Sequence, residues 1–290
     1  MTKKCIFVDV FTDSPYAGNQ LAVFPEANGL TTEQMQKLAN EINYSETTFI
    51  SKWNSPEADY NVRIFTLNQE LPFAGHPIIG TAFTVMQIHD QWNKTLRLKT
   101  KVGVIPVRKE NGELWMTQNP PEFFDQYSDK KEIASLVNLK PENISDDIPV
   151  EAVSTGNTIL IIPIKDLQAI ENAEGNAPLL KGFCEKHAIV APYLFTLQTT
   201  NMVARVHTRF FAPHMGILED AATGSAAGPL VGYLLKHDIF GKSFEIVNEQ
   251  GIEMARPAQI HMRGMLNNGS YIVEIGGQCA YIGQGEFKIQ

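Results

Sequence analysis

Arg63-Ile64-Phe65-Thr66 runs through Glu70 to Gly75-His76-Pro77-Ile78-Ile79-Gly80. The pattern returns as Arg209-Phe210-Phe211-Ala212, then Glu219, then Gly224-Ser225-Ala226-Ala227-Gly228. In both copies a Glu stands five residues before the Gly, and Gly75 and Gly224 are 149 residues apart in a chain of 290. A second pair keeps the same order: Gly18-Asn19 leads by six residues to Pro25, and Gly156-Asn157 by six to Pro163, an offset of 138. Coincidence would explain either pair alone. Together, with offsets that differ by no more than a loop's length, they point to a duplicated fold of two similar domains. The period is far too long for a solenoid of about 20–50 residues.

The surrounding sequence sets the fold class. Its dominant hydrophobic period is two. Residues 5–11, 21–24, 47–51, 61–65, 96–100, 102–108 and 114–117 read as strands, and so do 159–164, 193–199, 203–211, 244–248, 259–262, 271–275 and 280–282. Helices are fewer: 32–42 with a Thr31/Thr32 cap, 77–88 opening on Pro77, and 130–139, 178–187 and 226–237. Regular strand–helix–strand alternation is missing, so the expectation is α+β and not a doubly wound sheet. Polar stretches at 124–131 and 141–149 are the linker candidates, which gives an N-terminal domain of 1–125 and a C-terminal domain of 126–290.

Composition narrows the function classes. Lys and Arg number 24 against 32 Asp and Glu, a net charge of −8, with no basic cluster. That argues against a polyanion partner such as nucleic acid. Charged residues are 19% and apolar residues 43%, the reverse of a disordered chain. The three cysteines, Cys5, Cys184 and Cys279, form no CxxC pair, which fits a reducing compartment. No thiolate or second pair stands near His207 and His214, so no metal site is expected. The N-terminus has no apolar signal region, and no run reaches the roughly 20 residues of a membrane span. The expectation is a soluble, cytoplasmic protein with no membrane partner.

Each repeat ends as strand, turn, Gly, helix. The first N–H groups of a helix have no intrahelical partner and carry the positive end of its dipole. Two such starts suit an anionic small molecule, or the glycines serve only tight packing. Glu46 shares a strand face with Thr48. Exposed, it is an ordinary surface carboxylate; facing an apolar cleft, it becomes a proton donor and acceptor near neutrality. His76 at a helix start is either a loop cap or a neutral, proton-sharing imidazole. Asp220 is the second carboxylate, with a loop or capping role as its alternative. Ser225 fits a helix N-cap. The run 224–228 is not G-x-S-x-G, and Gly283-Gln284-Gly285 has no following helix, so neither a nucleophile elbow nor a dinucleotide loop is indicated. No cofactor is expected.

Taken in order, several motifs resemble the phenazine-biosynthesis PhzF-like family over essentially the whole chain. They are Val8-Asp9-Val10-Phe11-Thr12 with Gly18-Asn19, Ser45-Glu46-Thr47, Glu70-Leu71-Pro72-Phe73-Ala74-Gly75-His76-Pro77, Glu219-Asp220-Ala221-Ala222-Thr223-Gly224-Ser225 and residues 251–257. The resemblance implies two pseudo-symmetric diaminopimelate-epimerase-like domains, each a curled sheet around a central helix, with the last strand able to return to the first domain. It also implies a cofactor-free active site in the interdomain cleft and a homodimer. Glu46 matches the family's acid/base, and His76 and Asp220 match the residues that assist it. Ser45, Gly75, Gly224 and Ser225 match substrate-binding positions. Epimerases of this superfold carry two cysteines before the turn glycines; here those positions are Ala74 and Thr223, which argues against a two-thiol racemase. The expected function is a cofactor-independent isomerase that moves a proton on a small carboxylate-bearing substrate. A non-catalytic binding protein of the same fold and a related lyase or dehydratase are the alternatives.

Overall fold

The computed structural model describes residues 1–289. In chain order the first elements are β1 (Thr2–Val10), β2 (Asn19–Phe24), α1 (Thr32–Ile42), β3 (Thr47–Lys52), β4 (Tyr60–Phe65), β5 (Glu70–Leu71), α2 (Gly75–His89), β6 (Leu96–Thr100), β7 (Gly103–Glu110) and β8 (Glu113–Gln118). They are followed by β9 (Glu122–Tyr127), α3 (Lys130–Leu136), β10 (Val150–Ser154), β11 (Thr158–Pro163), α4 (Leu167–Glu171), α5 (Ala177–His187), β12 (Ala191–Thr196), β13 (Ala204–Ala212) and β14 (Ile217–Asp220). The chain closes with α6 (Gly224–Lys236), β15 (Ser243–Gln250), β16 (Ala258–Asn267), β17 (Ser270–Gly277) and β18 (Cys279–Lys288). The class is α+β. Two compact units form: Met1–Thr117 with the chain from Gly276 onward, and Gln118–Ile275.

Strand pairing makes the duplication explicit. In the first unit β1 lies antiparallel to β18 and β2, β2 is parallel to β3, and β3 is antiparallel to β4. The far edge of β4 pairs antiparallel with β5 at one end and parallel with β6 at the other, and β6 is antiparallel to β7. In the second unit β10 lies antiparallel to β9 and β11, β11 is parallel to β12, and β12 is antiparallel to β13. The far edge of β13 pairs antiparallel with β14 and parallel with β15, and β15 is antiparallel to β16. Every orientation repeats in order.

Each sheet is covered on both faces. Helix α2 is buried throughout residues 75–82 and α6 throughout 226–235, so neither shows the one-sided stripe of a surface helix. Glycines let these helices lie close to their neighbours. A Cβ on Gly80 would fall 2.6 Å from Leu21 and 2.7 Å from Val10, and one on Gly228 would fall 1.9 Å from Gln118 Oε1. On the other face of the first sheet, Ala22, Phe24, Phe49 and Phe65 pack against Met35, Leu38 and Ala39 of α1. Thr31 and Gln34 close a capping box at the start of α1, which is why its sequence bounds are sharp. On the second sheet, Leu160, Ile162 and Leu194 pack against α3, α4 and α5.

Two expectations need correction. The polar stretch at 124–131 is not a linker: it holds most of β9 and the start of α3. Ser225 is not a helix N-cap. Thr223 occupies that position and Ser225 lies inside the first turn of α6. No helix among the described residues is long and apolar enough to cross a membrane.

Candidate active site

In the first unit, three element starts meet. Asn19 opens β2, Ser45 and Glu46 lead into β3, and Gly75 and His76 open α2. The parallel pairing of β2 with β3 places the two strand entries side by side. Thr81 Oγ1 donates to Thr48 Oγ1 at 2.9 Å and ties α2 to β3, one strand residue beyond its entry at Thr47.

Glu46 is 7% exposed and His76 is 4% exposed. His76 Nε2 lies 3.5 Å from Glu46 Oε2. On the other side of the ring, Asn19 Nδ2 lies 3.1 Å from His76 Nδ1, within hydrogen-bond distance. Burial pushes the imidazole down to about 3, partly offset by the Gln20 backbone carbonyl, so His76 is neutral across the ordinary pH range. Ser45 Oγ stands 3.5 Å from Asn19 Oδ1, which makes Asn19 the bridge between Ser45 and His76. Asn19 is not among the site residues expected from the sequence; its signals there are the Gly18-Asn19 pair of the repeat and the same pair among the family motifs.

In the second unit, Asp220 ends β14 and is 8% exposed. Thr223 Oγ1 donates to Asp220 Oδ2 at 2.6 Å. Gly224 and Ser225 open α6. Gln118 Nε2 donates to the Gly224 carbonyl at 2.9 Å, and Gln118 Oε1 accepts from Thr155 Oγ1 at 2.6 Å. The missing side chain at Gly228 makes room for Gln118. Neither Ala74 nor Thr223, the N-cap residues of α2 and α6, accepts a side-chain capping bond from its helix, in contrast to Thr31 of α1. Uncapped starts of this kind suit an external anion.

Each corner is braced by the Arg–Glu pair that marks the repeat. Arg63 Nε and Nη2 donate to Glu70 Oε1 and Oε2, both at 2.7 Å. Arg209 Nε and Nη2 donate to Glu219 in the same way, again both at 2.7 Å. Bidentate forks of this kind fix geometry as well as charge. The site residues thus fall into two groups. Ser45, Glu46, Gly75 and His76 gather in the first unit, and Asp220, Gly224 and Ser225 in the second. Among the described residues no three or more His, Cys, Asp or Glu gather into a metal-binding group.

The pattern of the PhzC–PhzF family, described as "Phenazine biosynthesis-like protein", matches residues 8–285. The chain belongs to the PhzF family. This PhzF-family protein is 31% identical over 288 residues to the trans-2,3-dihydro-3-hydroxyanthranilate isomerase of Pseudomonas aeruginosa, with 97% of each chain covered. It is 34% identical over 289 residues to the isomerase of the same name from Pseudomonas chlororaphis, again with 97% of each covered. The structure of the Bacillus anthracis PhzF-family protein matches it with a TM-score of 0.90 at 27% identity, over the whole of both chains. A hydroxyproline epimerase from Agrobacterium vitis matches with a TM-score of 0.66 at 11% identity, covering 98% of this chain and 92% of that one, which shows the shared epimerase-like fold. The protein is an isomerase of the PhzF family.

Proposed function

We propose that this PhzF-family isomerase moves a proton between two carbons of a small carboxylate-bearing substrate, without a cofactor, by general acid/base catalysis at Glu46. The observation that carries this reading is the buried pair of Glu46 and a neutral His76, 3.5 Å apart. Glu46 takes a proton from one carbon. The C–H electron pair shifts the neighbouring double bond, and protonated Glu46 returns the proton at the far end of that system. No electron is gained or lost overall. His76 turns Nε2 toward the carboxylate oxygen, and a distance that is long in the free enzyme tightens when substrate fills the site. Asp220 holds and orients a polar group of the substrate, while Ser45, Gly75, Gly224 and Ser225 offer donors to its anionic and polar atoms.

A positioned acid/base contributes about 10²–10⁴-fold to rate. Placement and preorganised donors at the helix starts supply the rest. The test incubates the purified protein in D₂O with trans-2,3-dihydro-3-hydroxyanthranilate and a panel of unsaturated carboxylates, following deuterium entry and product by mass. Wild type is expected to incorporate one deuteron and leave the product mass otherwise unchanged. Glu46→Gln is expected to lose about 10²–10⁴-fold of that rate. Undiminished incorporation by a folded Glu46→Gln protein would remove Glu46 from the mechanism, and loss of water in the product would make the enzyme a lyase.

A further inference from the structure

A buried polar chain stands behind Asp220. Gln250 ends β15 and is wholly buried. Its amide makes four hydrogen bonds. Nε2 donates to the Asp220 carbonyl at 2.8 Å and to Thr223 Oγ1 at 2.9 Å. Oε1 accepts from the Thr223 N–H at 3.1 Å and from the Tyr193 hydroxyl at 2.8 Å. Two donors and two lone pairs are the full capacity of the group, so its orientation is fixed. Tyr193 is itself buried, and that burial pushes its phenol up and keeps it an O–H donor. The Tyr193 oxygen accepts from Asn248 Nδ2 at 2.9 Å.

The consequence lies at Thr223. A hydroxyl has one proton to give. Because Thr223 Oγ1 accepts from Gln250, that proton goes to Asp220 Oδ2, at 2.6 Å. This length is typical of a charge-assisted O–H···O⁻ bond. The donors therefore line up in one direction, Asn248 to Tyr193 to Gln250, then Gln250 to Thr223 to Asp220. Such a chain polarises along its length. One amide also spans the turn from the last residue of β14 to the N-cap of α6, so it holds the backbone of Asp220 as well as its side chain.

We infer that Thr223 and Gln250 are positioning residues for Asp220: the Gln250 amide sets the direction of the Thr223 hydroxyl, and that hydroxyl holds the Asp220 carboxylate in a single orientation. The functional meaning of this rests on Asp220 belonging to the reacting site; the geometry itself does not. Position 223, which carries a thiol in the two-cysteine epimerases of this superfold, thus serves here as a fixed hydrogen-bond donor to a neighbouring acid.

The test needs no substrate, so its failure is distinct from a failure of the Glu46 reading. Crystal structures of Thr223→Val, Thr223→Ser and Gln250→Met are compared with wild type, with thermal unfolding to establish that each folds. Thr223→Val is expected to let the Asp220 carboxylate rotate away, and Thr223→Ser to restore its wild-type orientation. Gln250→Met is expected to displace the 220–223 turn. A folded Thr223→Val protein with Asp220 unmoved overturns the proposal. If the variants do not fold, neutron diffraction of wild type decides: the Thr223 hydroxyl proton must point at Asp220, and a proton pointing at Gln250 overturns it.

Discussion

The two turn–helix corners have the same scaffold and opposite chemistry. Each has an Arg–Glu fork, a short strand, a turn, and a buried helix that begins on Gly without a side-chain cap. In the first corner the cap position is Ala74 and the second helical residue is His76; in the second they are Thr223 and Ser225. The residue after the fork's Glu is Leu71 in one and Asp220 in the other. A carboxylate, Glu46, precedes β3, whereas Ala188-Ile189-Val190 leads into β12. Duplication supplied two equal frames, and a handful of substitutions placed a buried carboxylate beside a neutral imidazole on one and a carboxylate held by a threonine hydroxyl on the other. That asymmetry is the one the proposed one-base isomerisation needs, and it differs from the two matched bases of a racemase.

The scaffold comparison breaks first at the forks, where the largest stability effect is expected. The Arg209 side chain is 7% exposed, and its Nη1 also donates to the carbonyls of Ile170, Glu171 and Ala173 at 3.0, 2.9 and 2.8 Å. The Arg63 side chain is 26% exposed and reaches Thr32 Oγ1. Arg209→Ala strands a carboxylate and three carbonyls, and is expected to cost about 3–5 kcal/mol. Arg63→Ala, open to water, should cost about 1 kcal/mol. Urea unfolding of both variants measures this. Equal losses would mean the two frames are mechanically alike and that burial of Arg209 does not matter.

Two histidines sharpen the comparison, because their pH dependences run in opposite directions. Burial holds His76 at about 3, below its unfolded value near 6.5. Above pH 6.5 neither state binds the proton. As pH falls from 6.5 toward 3 the unfolded chain takes a proton that the folded one refuses, so stability drops by roughly 3–5 kcal/mol over that window. In the second unit, His207 bridges Glu249 and Glu253, each at 2.9 Å. Burial opposes its charge, but the two carboxylates win and raise it above 6.5. Its contribution is therefore complete below pH 6.5 and is lost as pH rises through the folded value. Unfolding free energies of wild type and His76→Asn between pH 3 and 7 should differ in slope by about one proton. Identical slopes would show that His76 titrates normally. Followed against pH, the ring-proton NMR signal of His207 should titrate with a midpoint above the unfolded value near 6.5.

Legibility in the sequence follows the range of the interactions. The repeat was readable because the fork needs Arg on one strand and Glu on the next, a short-range constraint that leaves a spacing behind. The capping box of Thr31 and Gln34 fixed α1 to the residue for the same reason. Strand β9 was hidden because four of its six side chains, Glu122, Phe124, Asp125 and Gln126, are exposed and read as a polar linker. Helix α4, of five residues, is too short to show a period. Ser225 looked like a cap because cap preference is local, while the turn that puts Thr223 there is held by Gln250, 27 residues away. The bond from Asn19 to His76 spans 57 residues. A neutral imidazole is one of the two readings a helix start allows His76, yet the dominant cause is burial, which no local pattern carries.

The smallest effect offers the most pointed test of why both helix starts lack a side-chain cap. Ala74 already has the extended backbone of an N-cap, with φ −152° and ψ 141°. Ala74→Ser would let a side-chain oxygen accept from the first turn of α2, and caps of this kind stabilise by about 0.5–2 kcal/mol. The same oxygen would then compete with any external anion for those N–H groups. The expected outcome is a slightly higher melting temperature together with a weaker affinity for the carboxylate that proves active in the exchange assay. A gain in stability with unchanged affinity would mean that the start of α2 does not hold the substrate and that its bare cap serves packing alone. A loss in both would mean that the turn has no room for the hydroxyl. Only the opposed pair of shifts fits a helix start kept uncapped for a ligand.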